Sequence, residues 1–169
     1  MNAIRTGGTA VVAGVGAERG LGAELCRSFA AKGYHVLVAG RTPEKIAQVA
    51  ETICGTGGSA ESVPVDTTRE DDVIRLFDRA MSPGDGRAPA DVVTFNAGNN
   101  RRIDFRELSA EQFEQFWRIG ALAGFWLAAR RRADWLRSAA ARSSSPAPRP
   151  ACAASRALRT SPPRRPACA

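Results

Sequence analysis

Three glycines, Gly16, Gly20 and Gly22, stand in a G-x-x-x-G-x-G spacing. They follow a β-branched run, Thr9 to Val15, and open a stretch with apolar residues at helical intervals, Leu21, Leu25 and Phe29. A strand that turns through glycines into a helix N-terminus is suited to holding phosphate. The turn needs a residue without a side chain, the backbone must come close to the anion, and the helix start supplies free N–H groups and partial positive charge. The chemistry open to Gly16, Gly20, Leu21 and Gly22 is therefore recognition of a dinucleotide's pyrophosphate. Glycines alone give only a structural turn, so the flanking elements decide between the two readings.

Those elements alternate. A turn at Gly33 leads to a second apolar run, His35 to Ala39, and Thr42-Pro43 then starts a helix, with Thr as N-cap and Pro at N1, over Glu44 to Ile53. A strand follows near Ala60 to Val65, and Thr67 with Glu70 fits a capping box for a helix carrying Val73, Leu76 and Phe77. A Pro/Gly turn, Pro83 to Gly86, precedes a strand over Asp91 to Phe95. Ser109 and Gln112 form a second capping box before a long helix, with Phe113, Phe116, Trp117, Gly120, Leu122 and Ala123 expected on its inward side. Regular alternation of strand and helix predicts an α/β fold with a doubly wound parallel sheet.

With these elements in place, the chain resembles the short-chain dehydrogenase/reductase family over Thr9 to about Ala129. The resemblance rests on the glycine spacing, on Asp66 after the third strand and on Asn96-Ala97-Gly98 after the fourth. It implies a Rossmann fold and an NAD(P)-dependent oxidoreductase acting on an alcohol or carbonyl substrate. It also implies that Asp66 accepts a hydrogen bond from the adenine amino group, and that Asn96, Ala97 and Gly98 line the cofactor's ribose and brace the sheet. Read without the family, Asp66 is a helix-leading turn residue and Asn96 to Gly98 an ordinary loop. In this family the long helix commonly contributes to a homo-oligomer interface.

The choice of cofactor is a question of charge at the end of the second strand. A carboxylate there suits the 2′-hydroxyl of NAD, whereas the 2′-phosphate of NADP needs a cation. The strand ends Ala39-Gly40-Arg41 with no acid, and Arg19 in the glycine loop is a second cation close by. NADP(H) is expected over NAD(H), the other reading being that both arginines are solvated surface charges.

The catalytic residues that the resemblance implies, a Ser, a Tyr with a Lys in Y-x-x-x-K, and an Asn on the long helix, find no counterpart. The one tyrosine is Tyr34, the lysines are Lys32 and Lys45, and Gly120 stands at the helix position expected for the Asn. No catalytic residue is therefore assigned. Cys26, Cys54, Cys152 and Cys168 form neither a C-x-x-C pair nor a cluster at metal spacing, so no metal is expected. The single His35, inside an apolar run, is expected to be structural.

Net charge is +7, but it is not spread evenly. Residues 130–169 hold ten of the 24 basic residues and one of the 17 acidic ones, so residues 1–129 carry 14 basic and 16 acidic groups. The expected organisation is accordingly an incomplete dinucleotide-binding domain over 1–129 and an Arg/Ala/Pro/Ser-rich tail over 130–169. A disordered basic tail contacting nucleic acid or membrane is one reading of that tail, and would make the chain a non-catalytic nucleotide binder. The preferred reading is a shifted reading frame in GC-rich DNA, with nucleic acid not expected as a partner. Read one base out of register, Arg142 to Ala154 can encode LLFTGATASLRG and Thr160 to Arg165 can encode F-A-A-A-K, which resemble the family's fifth strand and its Y-x-x-x-K. The expected product is a truncated, inactive copy. The N-terminus lacks a signal-like apolar stretch and no run spans a bilayer, so a cytoplasmic location is the default.

Overall fold

The computed structural model describes residues 7–99 and 101–143, the side chains of 134–143 excepted. The tail beyond, with Cys152, Cys168 and the proposed off-frame motifs from Ser144 onward, lies outside the described residues. Strand and helix alternate as expected: β1 (Thr9–Ala13), α1 (Leu21–Ala31), β2 (His35–Gly40), α2 (Pro43–Gly55), β3 (Ser59–Pro64), α3 (Glu70–Met81), β4 (Ala90–Phe95), α4 (Ala110–Trp117) and α5 (Ala123–Ser143). The strands form one parallel sheet in the order β3-β2-β1-β4. The chain leaves β1 toward β2 and later returns to its other side at β4. The strand order therefore reverses between β1 and β4, which opens a crevice at the carboxyl ends of the strands.

β1 and β2 are buried along their whole length, because helices cover both faces of the sheet and continuous apolar runs replace the in/out alternation of a one-sided sheet. The period of two sorts them all the same. Ala10, Val12, Val36 and Val38 meet α1 and α2 through Cys26, Ile46 and Val49. Val11 and Leu37 meet α3 through Leu76 and Ala80, while Ala13 joins Val73, Phe77 and Leu127.

Three local expectations are corrected. Thr67 and Glu70 do not form a capping box: α3 starts at Glu70 with Arg69 at the N-cap and no side-chain bond there, and Thr67 is buried. Glu70, Asp71 and Asp72 in the first turn compensate the helix start electrostatically instead. Thr42 does precede Pro43 at N1, but its side chain makes no cap bond. The long helix is not one regular rod facing inward. α4 and α5 are joined by a π-helical turn, Arg118–Leu122, and Phe113 and Trp117 are 62% and 49% exposed. Among the described side chains of this region, Ala123 and Leu127 are buried and Trp126 packs against the same core, because α5 packs on α3 and β4 while α4 makes no comparable contact with the sheet. The Ser109–Gln112 box forms with both bonds in place: the Gln112 N–H donates to Ser109 Oγ at 3.3 Å and the Ser109 N–H to Gln112 Oε1 at 3.0 Å.

α5 runs across residue 130, where the composition changes. No described helix is long and apolar enough to cross a membrane. His35 is buried at the start of β2, with Nδ1 2.8 Å from Ser59 Oγ.

Candidate functional site

A groove of about 350 Å³ lies at the carboxyl ends of the strands, between the glycine loop and the turns after β2, β3 and β4. Its floor is set by backbone. The N–H groups of Gly14 and Val15 both donate to Ala39 O at 2.9 Å, which turns the chain sharply off β1. Gly14 has φ +97°, and a Cβ there would run into the Ala97 backbone. Gly40 is equally constrained, since its Cβ would meet the Val15 carbonyl. The G-x-x-x-G-x-G pattern begins two residues after Gly14 and so passes over it. The signal that marks both Gly14 and Gly40 is their place immediately after or at the end of a buried strand.

The three motif glycines differ in what surrounds them. A Cβ on Gly16 meets nothing within 4 Å, so the groove is open at that point to a close ligand. Gly20 closes a tight turn, its N–H donating to Ala17 O at 2.9 Å. A Cβ on Gly22 would lie 3.0 Å from Asn96 Nδ2 and 3.1 Å from Gly14 O, so its lack of a side chain lets α1 sit close on the strand ends. Gly16, Gly20, Leu21 and Gly22 all line the groove.

From the opposite side come Asn96, Ala97 and Gly98. The Asn96 N–H donates to Ala13 O at 2.8 Å and its Nδ2 to Gly14 O at 3.0 Å, so this one residue ties the end of β4 to the glycine loop. Ile119, from the π-helical turn, also lines the groove, and its neighbour Gly120 has open space where a side chain would stand. The pattern of apolar spacing carried no signal for Ile119, because a π-helical turn shifts the register of every later side chain.

Charge enters at the third wall. Asp66 lines the groove beside Val65 and Thr68. Thr68 donates to Asp66 Oδ1 twice, from N–H at 3.0 Å and from Oγ1 at 2.7 Å, while the Asp66 N–H donates to Asp72 Oδ2 at 2.9 Å. Burial pushes the Asp66 carboxyl up, but the two Thr68 bonds and the charges of Arg41 and Arg69 outweigh it, and the group is held below its ordinary value as a carboxylate. Arg41 and Lys45 line the same wall, and both are exposed. Arg19 is exposed but does not line the groove. Lys45, in the first turn of α2, was not singled out from the sequence: Arg41 precedes the helix, so no helical spacing links the two, and the turn through Thr42 and Pro43 is what brings Lys45 to the groove.

Tyr34, the one tyrosine, is buried edge-on against Phe29, ring centroids 5.8 Å apart, at the far end of β2 from Gly40. Burial pushes the Cys26 thiol up to about 12, so it is an inert part of the core.

The fold and the groove define an α/β protein of Rossmann type. The pattern of the short chain dehydrogenases matches residues 10–141, and the chain belongs to that family. An uncharacterized oxidoreductase, YuxG, of Bacillus subtilis is 34% identical over 117 residues, covering 68% of this chain and 16% of its own length. The hydroxynaphthalene reductase-like protein Arp2 of Metarhizium robertsii is 31% identical over 124 residues, 73% of this chain and 45% of that protein. Among solved structures, a short-chain dehydrogenase from Rhodopseudomonas palustris superposes with a TM-score of 0.70 at 29% identity, covering 78% of this chain and 59% of that one. The chain thus spans less than half the length of these curated relatives. The family is one of oxidoreductases that bind a nicotinamide dinucleotide.

Proposed function

We propose that the groove binds NADP(H) in preference to NAD(H), with the pyrophosphate over Gly16 and the N-terminus of α1, the adenine against Asp66 and the 2′-phosphate between Arg41 and Lys45. The observation that carries this reading is the pair of exposed groove cations, Arg41 directly after β2 and Lys45 at the start of α2, with Asp66, after β3, the one carboxylate among the described groove-lining residues. The open space at Gly16 and the single Asp66 oxygen taken by Thr68, which leaves the other for a ligand, fit the same molecule. The bound dinucleotide supplies hydride chemistry, and the chain's own residues bind and orient it. Titration with NADPH and NADH tests the preference. Arg41→Ala is expected to weaken NADPH about tenfold and leave NADH within about twofold, since a charge-assisted bond to phosphate is lost in one case only. Equal affinities in the unsubstituted protein would overturn it.

These 169 residues do not, on this reading, carry out alcohol or carbonyl turnover. Tyr34 is buried away from the groove, and Gly120 offers no side chain at the turn beside it. NADPH oxidation that saturates with any carbonyl compound would count against this. Residues 130–169 are read as the product of a shifted frame, and the coding DNA decides it: an early stop in the alternative frame removes the idea. The exposed side chains of Phe113, Trp117 and Phe125 support self-association through α4 and α5.

A further inference from the structure

Two carboxylates sit where an anion-binding loop is best without them. Glu18 lies inside the glycine loop and Glu24 in the first turn of α1, and each repels a pyrophosphate placed over that helix start. The structure engages both from behind. Arg27, on the next turn of α1, donates from Nη1 and Nη2 to the Glu18 carbonyl, each at 3.2 Å, and from Nε to Glu24 Oε2 at 3.1 Å. Gln48, on α2, donates from Nε2 to Glu18 Oε2 at 3.1 Å. None of Glu18, Arg27 and Gln48 lines the groove.

The loop has little else to hold it. Between Gly16 and Gly20 its one internal backbone bond is Gly20 N–H to Ala17 O, and Ala17, Glu18 and Arg19 are all exposed. In a trans peptide unit the carbonyl and the next N–H point in opposite directions, so a guanidinium gripping the Glu18 carbonyl also fixes where the Arg19 N–H points. Gln48 lies three residues beyond Lys45 on α2, so one helix presents both a groove cation and the hold on the Glu18 carboxylate.

We propose that Arg27 and Gln48 are positioning residues for pyrophosphate binding: from two neighbouring helices they clamp Glu18, keep its carboxylate off the groove and hold the glycine loop in the shape that receives an anion. This rests on the reading of the groove as a dinucleotide site.

The test is NADPH titration of the full chain by fluorescence, with thermal unfolding measured on each variant. Gln48→Ala changes no charge and is expected to weaken NADPH about three- to tenfold, and Arg27→Ala about tenfold or more. Thermal midpoints barely move, because contacts this exposed contribute little to global stability. Adding Glu18→Gln to Gln48→Ala recovers most of the lost affinity when referred to Glu18→Gln alone, which a general loosening of the fold does not produce. If the unsubstituted protein binds NADPH and both single variants bind within about twofold of it, or if Glu18→Gln recovers nothing, the clamp is wrong and the dinucleotide site stands. If the unsubstituted protein binds neither NADPH nor NADH, the site itself fails and the clamp falls with it.

Discussion

The two flanks of β1 are built from similar sequence and end up physically unlike. On the β2 side, β1 and β2 are wholly buried, and α1 and α2 close over them with Cys26, Ile46, Val49 and Ile53. On the β4 side, β4 is only half buried beyond Ala90, pairs among the described residues with β1 alone, and is followed by helices that leave Phe113, Trp117 and Phe125 in solvent. An amphipathic helix is stabilised by the surface it covers, not by its own pattern. α2 finds a sheet under its apolar face. α4 finds none among the described residues, and the same kind of pattern contributes exposure instead of core.

The sharpest way to break this contrast is to remove matched apolar bulk from each flank. Ile46→Ala, in a fully buried site, is expected to cost about 2–5 kcal/mol in denaturant unfolding. Leu127→Ala, the large α5 side chain that is buried among those described, falls near the lower end, about 2 kcal/mol. Phe113→Ala, despite being the larger side chain to truncate, is expected to stay within about 0.5 kcal/mol. A loss at Phe113 approaching that at Ile46 would mean that α4 is covered, and the contrast would collapse. If self-association covers it, Trp117→Ser with Phe125→Ser shifts size-exclusion elution toward the monomer; unchanged elution would remove that explanation.

A smaller effect probes the β2 side by pH. Burial, reinforced by Arg87 and Arg79 and partly opposed by Glu61, lowers His35 below its usual 6.5. The unfolded chain therefore takes up this proton first on acidification, so the contribution of neutral His35 is present above about pH 6.5 and declines as pH falls through the lower folded value. Glu61 acts in the same direction further down. Its bond from Arg79 lowers it below 4.5 against the effect of burial, so its contribution is present above that value and is lost toward lower pH. His35→Asn should flatten the upper part of a stability profile between pH 7.5 and 5, and an unchanged slope would show that His35 does not set it.

How far the site was legible follows the range of the interactions involved. The glycine loop, Asp66 and Asn96 to Gly98 could be placed at strand ends because each follows a run of apolar residues, and a parallel sheet brings such ends to one edge. Arg41 was legible for the same reason. Lys45 and Ile119 were not, because one needs the start of α2 and the other a π-helical turn to reach the groove. Arg19 reads as a groove cation in the sequence, yet the folded loop carries it outside the groove lining. Thr67 and Glu70 carry the spacing of a capping box, but Arg69 is the N-cap and the helix starts two residues later than that box requires, with Thr67 buried.

By itself, then, the sequence determined the order and type of the elements, since the apolar period and the turn residues act over a few neighbours. It also determined the charge asymmetry between residues 1–129 and 130–169. Only the tertiary structure decided which amphipathic faces are covered, and that Gly14 and Gly40, outside the motif, have no room for a side chain while Gly16, inside it, does. It likewise decided that Glu18, in the loop from Gly16 to Gly22, is held from two helices. Each of these depends on segments far apart in the chain meeting at van der Waals or hydrogen-bond distance, and local pattern carries no record of such a meeting.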